Sequence, residues 1–390
     1  MSSKADEAKK EGKRALVVFS LASFLNDFGS DIIYPLWPIF VTSLAGVNMA
    51  VLGLIDGLGE TIVSISQAGS GYVSDRLRKR KIFIWTGYFF GATSRLGYAF
   101  SRMWQYLIPF KVLDRVGKMR GAPRDAIVAD LSTNENRGRN FGLLRTMDNL
   151  GAVCGILTSI LLFSYLQWSY TNLFLLASFP SLIGVLLILL FVRDRKTKEI
   201  YKGLSLKDLA FNYKLFLLLS AIFALGAFSY SFLLVYAKKS GFAESFVPIL
   251  YLVFTIVASL TALPFGRLAD RVGRRSVLIL AYLLWGLMCV GFIYTENYLG
   301  IILLFVLYGL HRGAIEPVQK TFVSELAPVE HRASLLGAFQ MIVGLCALPA
   351  SLIAGLLWDA FGRHVPFYFS LGLTSLTLIL MLFLKGEQDG

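Results

Sequence analysis

Two pairs of acidic residues lie within strongly apolar stretches of the chain, where a charged side chain is costly. Asp27 and Asp31 are four residues apart, as are Asp56 and Glu60, so each pair falls on one face of a helix. Two carboxylates on one low-dielectric face repel each other, which favours protonation of one of them. The spacing predicts a site that binds and releases protons. In the second pair we favour Glu60, because Asp56 falls near the predicted outer end of its span, where water can solvate it.

A further charged cluster is mainly basic. By helical spacing Lys111, Asp114, Arg115 and Lys118 share one face, and Arg120 follows. A net positive patch at membrane depth suits an anionic or zwitterionic substrate, because a guanidinium group can grip a carboxylate through two hydrogen bonds. The alternative is that these cations only balance the acids nearby. From the first half of the chain we assign the following to a substrate cavity: Asn26, Tyr34, Asp56, Lys118 and Arg120.

The second half of the chain places few ionisable groups at membrane depth. His311, Arg312 and Glu316 are the chief ones, and we assign all three to the substrate cavity. Histidine titrates near neutrality, so His311 is a candidate second proton site, with a purely hydrogen-bonding role as the alternative. In the first half, Arg145 and Asp148 lie three residues apart towards the cytoplasmic end of their span. This spacing predicts a gate or a pair between helices.

The elements that position these residues must be membrane helices. A mean hydropathy of +0.63 with 16% charged residues excludes an ordinary soluble enzyme, and Cys154, Cys289 and Cys346 all lie in apolar segments, which suggests neither disulfides nor a metal cluster. Since a span needs roughly 20 apolar residues, the sequence predicts an all-α membrane protein with twelve spans. They fall near 15–43, 48–73, 82–101, 104–132, 139–165, 170–192, 211–237, 245–268, 276–295, 298–323, 333–357 and 365–384.

The distribution of lysine and arginine predicts the orientation. With the N-terminus inside, the inner tails and loops hold 27 of these residues and the outer loops hold four. Positive residues near span ends are retained on the cytoplasmic side. Both termini are therefore expected in the cytoplasm.

The chain is an internal duplication. The stretch 71–80 recurs as 266–275, an offset of 195, and the same offset places Asp130 on Glu325 and Gly142 on Gly337. Parallel repeats of six helices predict two bundles that rock about a central site. The predicted organisation is a tail at 1–14, bundles at 15–192 and 211–384, a basic linker at 193–210 and a tail at 385–390.

The repeated loop resembles the signature of the major facilitator superfamily, and the resemblance extends over nearly the whole chain. The pattern of glycine, three residues, aspartate, arginine, any residue, glycine and two basic residues is matched fully at 266–275, whereas the first copy has Arg78 in place of the glycine. The resemblance implies two six-helix bundles related by a pseudo-two-fold axis. It also implies a gating latch at Asp75 and Arg76, with Asp270 and Arg271 as its copy. The alternative is a basic loop that only fixes topology.

Two spans carry partial family motifs. Arg115 falls where the fourth-span motif has an arginine that serves proton coupling or substrate charge, although Lys118 replaces the usual glutamine. The stretch from Pro35 to Pro38 resembles the first span of drug-exporting members. Gly142, Gly151 and Gly155 match the first half of the fifth-span motif of antiporters; glycines so spaced can equally serve close helix packing.

We therefore expect a proton-coupled secondary transporter that works by alternating access, with Asp27, Asp31, Glu60 and Arg115 in proton coupling. The leading hypothesis is an exporter of a small organic molecule. The second is a proton-coupled importer of a polar or anionic solute, such as a carboxylate-bearing metabolite or siderophore. The third is a membrane enzyme or a receptor that has lost transport, although the sequence offers no soluble domain for an enzyme.

The energy source is expected to be the proton gradient, without a cofactor, because the sequence contains no glycine-rich phosphate loop. The expected partners are a small-molecule substrate, protons and the lipid bilayer, with no nucleic acid. The expected location is the plasma (inner) membrane. A single chain that supplies both bundles predicts a monomer.

Overall fold

The computed structural model describes residues 2–44, 46–77, 79–132, 136–192, 211–326 and 332–384, except for the side chains of residues 2–13, 75, 137–138 and 332–334. Every regular element in these ranges is helical. The α-helices are α1 Ser2–Ile33, α2 Trp37–Ser43, α3 Met49–Leu77, α4 Lys81–Phe100, α5 Trp104–Val116, α6 Gly121–Asp130, α7 Arg137–Ser159, α8 Tyr170–Phe191, α9 Phe211–Gly226, α10 Tyr230–Lys239, α11 Val247–Val272, α12 Arg274–Tyr294, α13 Tyr298–Leu326, α14 Arg332–Phe361 and α15 Val365–Met381.

Most of these helices can cross a bilayer. Within the described ranges, nine helical segments are long and apolar enough to do so. The other three predicted spans correspond to α4, to α5 with α6, and to α15, which are shorter or less apolar. The helix order therefore matches the twelve predicted spans. The predicted linker 193–210 and the tail 385–390 lie outside the described residues, so the domain boundaries stay a prediction.

Two spans that were expected as single helices are broken. The turn at 34–36, which contains Pro35, separates α1 from α2 because proline restricts the preceding residue and lacks an amide hydrogen. The second break, at 227–229, separates α9 from α10, and the Ser229 hydroxyl caps α10 by accepting from the amide of Ser231. The offset of 195 places Tyr34 on Ser229, so the two breaks are equivalent.

Other irregularities occur in only one repeat. A 3-10 turn at Gly117–Arg120 separates α5 from α6, and a π-helical segment at Ile160–Tyr165 extends α7. The equivalent stretches of the second repeat run inside α13 and α14 without a break. Gly117 also allows close packing, because a Cβ there would lie 2.7 Å from the carbonyl oxygen of Gly87.

The chain divides into two compact units: Met1–Phe40 with Ile62–Tyr201, and Val41–Thr61 with Lys202–Gly390. In the first unit, α1 packs on α7 and α8, and α4 packs on α5 and α8. Its apolar core includes Phe19, Ile84, Val128 and Ile188, all buried. This packing brings α1, α4, α5 and α7 together, and these helices carry most of the ionisable residues of the first half.

In the second unit, α13 packs on α11 and α12, and α15 packs on α9 and α12. Its core is largely aromatic: the rings of Phe292 and Phe367 are stacked with centroids 5.1 Å apart, and Trp285 is 2% exposed. The outer half of α3 also belongs to this unit. There the amides of Met49 and Ala50 donate to the Asp359 carboxylate at 3.0 and 2.8 Å, which caps the start of α3.

Candidate functional site

The acids of α1 lie in the interior of the first unit. Asp31 is 8% exposed and Asp27 is partly buried. The Asn26 side-chain amide donates to Asp27 Oδ1 at 2.9 Å, so the carboxylate has a neutral donor. In the described part of the chain, the Asp27 carboxylate forms no ion pair; Arg115 and Arg145, the cations that could have tied it permanently, pair with other acids.

Arg95 of α4 is the most firmly anchored charged side chain of this unit, at 2% exposure. Its Nη2 donates to the carbonyl and side-chain oxygens of Asn26, both at 3.1 Å. Its Nη1 donates to the Ala177 carbonyl at 3.0 Å and to the Ser181 hydroxyl. Ser181 in turn donates to Asn26 Oδ1 at 3.2 Å. This network joins α1, α4 and α8 and fixes Asn26 beside Asp27; the assignment of Asn26 to the substrate cavity stays a prediction.

A small cleft, or pocket, opens beside this network. The Lys111 ammonium lies 3.9 Å from the centre of the Trp37 ring, and the Arg115 guanidinium lies 5.4 Å from that of Tyr34. Both contacts are cation–π interactions. The lining side chains are Ser30, Ile33, Tyr34, Trp37, Arg95, Tyr98, Lys111 and Asp114.

An acid next to this pocket offsets part of its positive charge. Asp114 is 6% exposed and lies 3.5 Å from Arg115 Nε and from the hydroxyl of Ser94. Arg115 is therefore paired with Asp114, on its own helix. The pocket lining thus combines cations, an acid and aromatic rings.

The basic residues after Gly117 lie apart from the pocket lining. Arg120 is 7% exposed, donates to the Gly117 carbonyl at 2.9 Å, and places its guanidinium 4.8 Å from the centre of the Tyr88 ring. Lys118 is partly buried in the same 3-10 turn. The assignment of both residues to the substrate cavity stays a prediction.

A second polar cluster joins α1, α6 and α7. Arg124 Nη1 donates to the Ser23 hydroxyl at 2.6 Å, and Arg124 Nε donates to Asp125 at 2.9 Å. Asp148 is 7% exposed; its two oxygens lie 3.8 Å from Arg124 and 3.7 Å from Arg145. Arg145 and Asp148 are thus near each other, as their spacing indicates, and their role in gating stays a prediction.

The second unit contains the other acidic pair. Asp56 is 7% exposed, and its Oδ2 accepts from the hydroxyls of Ser229 and Ser231 at 2.8 and 2.5 Å. The expectation that water partly solvates Asp56 is therefore wrong: hydroxyls at the start of α10 take the place of water. Glu60, one turn further along α3, is exposed.

His311 and its neighbours on α13 differ in their exposure. His311 is 3% exposed, its Nδ1 donates to the Ala281 carbonyl at 2.8 Å, and its ring centre lies 5.1 Å from that of Trp285. Arg312 and Glu316 form an exposed ion pair at 3.6 Å. Glu60 lies close enough to interact electrostatically with Arg312. The second unit thus brings three of the predicted residues, Glu60, Arg312 and Glu316, to one exposed polar region.

In the duplicated loop, the described ion pairs are formed by basic residues that follow the aspartate-arginine dipeptide, Arg274 in the second copy and Arg80 in the first. Arg274 bridges Asp270 at 2.6 Å and Glu325 at 3.0 Å, while Arg271 is exposed. In the first repeat Arg76 is exposed, and the side chain of Asp75 lies outside the described residues. There Arg80 pairs with Asp130 at 2.6 Å. The latch assigned to Asp75, Arg76, Asp270 and Arg271 stays a prediction.

Sequence reasoning missed several residues of these clusters. Arg95 was not singled out, and Lys111 and Asp114 were placed in a basic cluster at membrane depth but not assigned to a site. Their partners lie on other helices, so spacing along one helix could not find them. Ser229 and Ser231 gave one usable signal: the offset of 195 places Ser229 on Tyr34, beside a proline that predicts a break.

Comparisons with known proteins agree with this fold. The family model described as Major Facilitator Superfamily matches residues 19–234 and 215–389. An uncharacterized MFS-type transporter of Methanocaldococcus jannaschii is 37% identical over 393 residues, covering 98% of this chain and 97% of its own. A multi-drug resistance efflux pump of Streptococcus pneumoniae, PmrA, is 25% identical, covering 89% of this chain and 90% of its own.

Among solved structures, the nucleoside transporter NupG superposes with a TM-score of 0.71 at 17% identity, covering 95% of this chain and 98% of its own. Identity this low shows a common fold and does not extend to a substrate. The helix order, the duplicated signature loop and the family match lead to one conclusion. The chain is an integral membrane transporter, not an enzyme, and it belongs to the major facilitator superfamily.

Proposed function

We propose that this transporter is a proton-coupled exporter of a small organic molecule, in which Asp27 and Asp31 of α1 carry the coupled proton. The observation that carries the proposal is the setting of Asp27. It is a partly buried carboxylate whose hydrogen bond comes from the neutral amide of Asn26. A carboxylate held by a neutral donor can take up a proton without breaking an ion pair. Arg95 holds Asn26 in place and thereby keeps this setting fixed.

Three features favour export. The break at Pro35 and the partial glycine motif of α7 resemble features of drug exporters, and the pneumococcal relative with 25% identity is named as an efflux pump. The pocket also contains the rings of Tyr34, Trp37 and Tyr98, which suit a molecule with an apolar part. The asymmetry of lysine and arginine supports a cytoplasmic location of both termini. The proposal also includes a monomer in the plasma membrane that uses the proton gradient as its energy source.

The experiment is active transport by the full chain, expressed in cells and reconstituted in liposomes, with ethidium as the drug-like probe. The chain is expected to lower ethidium accumulation, and a protonophore should abolish that effect. Asp27→Asn and Asp31→Asn should lose uphill transport while partly retaining exchange of ethidium across the membrane. Normal uphill transport by both variants would refute the proton role, and unchanged accumulation would count against export.

The alternative is a proton-coupled importer of a polar or anionic solute, such as a carboxylate-bearing metabolite or siderophore. The observation that favours it is the positive charge beside the pocket, where Arg95, Lys111 and Arg115 face the single acid Asp114 in the lining. A fluorescent carboxylate replaces ethidium in the same assay. Proton-driven accumulation of this anion inside cells, lost in Lys111→Ala, would favour import.

A further inference from the structure

The seam between α1 and α7 brings three carboxylates into line. The two helices run in the same direction: Gly151 of α7 contacts the backbone of Phe24, and Gly155 contacts that of Phe28 and Asp31. Asp148 precedes Gly151 by about one turn, whereas Asp27 and Asp31 follow Phe24 along α1. Asp148, Asp27 and Asp31 therefore lie at successive depths, beginning at the end of the bundle predicted to face the cytoplasm.

Asp148 is surrounded by groups that can hold it in either protonation state. On α7 it faces Arg145, on α6 Arg124 with its partner Asp125, and on α1 Ser23 and Asp27; Asp27 is near enough to interact with it electrostatically. On α4, Tyr88 interacts with Arg124. Two cations and two other acids thus surround Asp148. Their charges can compensate both the anionic and the protonated form of its carboxyl group.

One face of α7 beside Asp148 is exposed. Gly142, Arg145, Thr146 and Asn149 are all exposed, and their spacing places them on one face of the helix. The Arg145 side chain is 72% exposed while its partner Asp148 is 9% exposed. Asp148 is therefore one side chain away from an exposed polar surface.

The helices around Asp148 carry buried hydroxyls without hydrogen-bond partners. They are those of Ser20 on α1 and Tyr88 on α4, and among the described residues neither has a hydrogen-bond partner. Tyr88 interacts electrostatically with Arg124, which lies 3.8 Å from Asp148. Buried polar groups are normally satisfied, and ordered water commonly satisfies those that the protein does not. Such groups can support proton transfer through a bridging water.

We propose that Asp148 is the inner exchange group of the proton path, through which protons pass between cytoplasmic water and Asp27. This inference rests on the proposed proton role of Asp27. A hydronium ion on the exposed face of α7 protonates the Asp148 carboxylate. The proton then moves inwards to the Asp27 carboxylate, which restores the anionic form of Asp148. Arg124 is a positioning residue: through Ser23 it holds the α1 side of this path against α7.

The test measures how fast the purified full chain, in lipid nanodiscs, takes up protons after a rapid drop in pH. A pH-sensitive dye reports the rate, and difference infrared spectra report which carboxylates become protonated. Asp27→Asn identifies the Asp27 band. In Asp148→Asn, Asp27 should still become fully protonated, but roughly a hundredfold more slowly, the size of effect typical of a positioned acid–base group.

The controls separate this inference from the proposed function. Asp130→Asn removes an acid of α6 that pairs with Arg80, outside this cluster, and it should leave the rate unchanged. Asp148→Glu should restore most of the wild-type rate. If Asp27 keeps its wild-type rate in Asp148→Asn, the inference is overturned and the proton role of Asp27 stands. If no Asp27 band exists in the wild-type chain, the proposed function fails as well.

A measurement on the wild-type chain covers the case in which Asp148→Asn does not fold. A water-soluble carbodiimide with an amine labels carboxyl groups that water reaches, and peptide mass spectrometry locates the label. Asp148 and the half-exposed Asp125 should both be labelled. Labelling of Asp125 without Asp148 would show that water does not reach Asp148 and would overturn the proposal.

Discussion

The two repeats share a backbone plan but differ in the chemistry of their interiors. The break after α1 and the break after α9 are equivalent under the offset of 195, yet Asn26, Arg95 and Asp114 correspond to Ala221, Val290 and Gly309. The first unit contains a network of buried charges, whereas the core of the second is aromatic. The two repeats therefore share the helix order and the equivalent breaks, whereas the buried ionisable side chains are concentrated in the first unit.

One buried acid complicates this comparison. Asp56 belongs by sequence to the first repeat, where Tyr251 is its equivalent, but by its contacts it belongs to the second unit. Its acceptor oxygen is met by hydroxyls of α10, at the break that the second repeat shares with the first. The second unit thus obtains a buried carboxylate from α3.

The largest expected effect concerns Arg95. Arg95→Leu removes the four hydrogen bonds by which one buried guanidinium joins α1, α4 and α8, so we expect a loss of about 3–5 kcal/mol of stability. Val290→Ala, at the equivalent position, should cost about 1 kcal/mol. Thermal unfolding in detergent measures both. Equal losses would contradict the asymmetry between the units.

The next effect concerns Asp56. Asp56→Ala removes the acceptor of two hydroxyl hydrogen bonds and should cost about 2–3 kcal/mol. Glu60→Gln on the same helix serves as the control and should cost under about 0.5 kcal/mol, because Glu60 is exposed. Chemical denaturation of the purified chain compares the two. A larger loss for Glu60→Gln would show that the buried contacts of Asp56 are not the stabilising ones.

Close packing of α1 on α7 gives a third comparison between the repeats. A methyl group at Gly151 would overlap the carbonyl of Phe24, so Gly151→Ala should cost about 1–3 kcal/mol through overpacking. The equivalent residue, Cys346, already carries a side chain, and Cys346→Ala should cost about 1 kcal/mol or less. Melting temperatures of the two variants test this order, which the reverse result would overturn.

The smallest effect concerns a feature that the repeats have in common. Arg80 pairs with Asp130, and Arg274 pairs with Glu325, at equivalent acids. Asp130→Asn and Glu325→Gln should each cost about 1 kcal/mol or less, because the two acids are 51% and 24% exposed and partly exposed ion pairs contribute little. Melting at low and high salt should show a similar small shift for both. A large loss of stability in only one of the two variants would indicate that the two ion pairs contribute differently to stability.

The sequence predicts the fold more completely than it predicts the site. Apolar runs of span length and the duplicated loop are visible in the sequence, so the helix order could be predicted, as could local bending at Pro35. The break at 227–229 contains no proline and was missed. Arg95 could not be assigned because its partners, the Asn26 and Ala177 oxygens and Ser181, come from two other helices and are mostly backbone or neutral groups. Such a network exists only in the folded chain.

The placement of proton chemistry in the first unit is tested most directly by the number of protons that the purified chain takes up between mildly alkaline and mildly acidic pH. We expect the double variant Asp27→Asn with Asp31→Asn to take up fewer protons than the wild-type chain. We expect His311→Gln, in the second unit, to leave proton uptake unchanged. Unchanged uptake in the double variant, or a loss confined to His311→Gln, would contradict the placement of proton chemistry in the first unit.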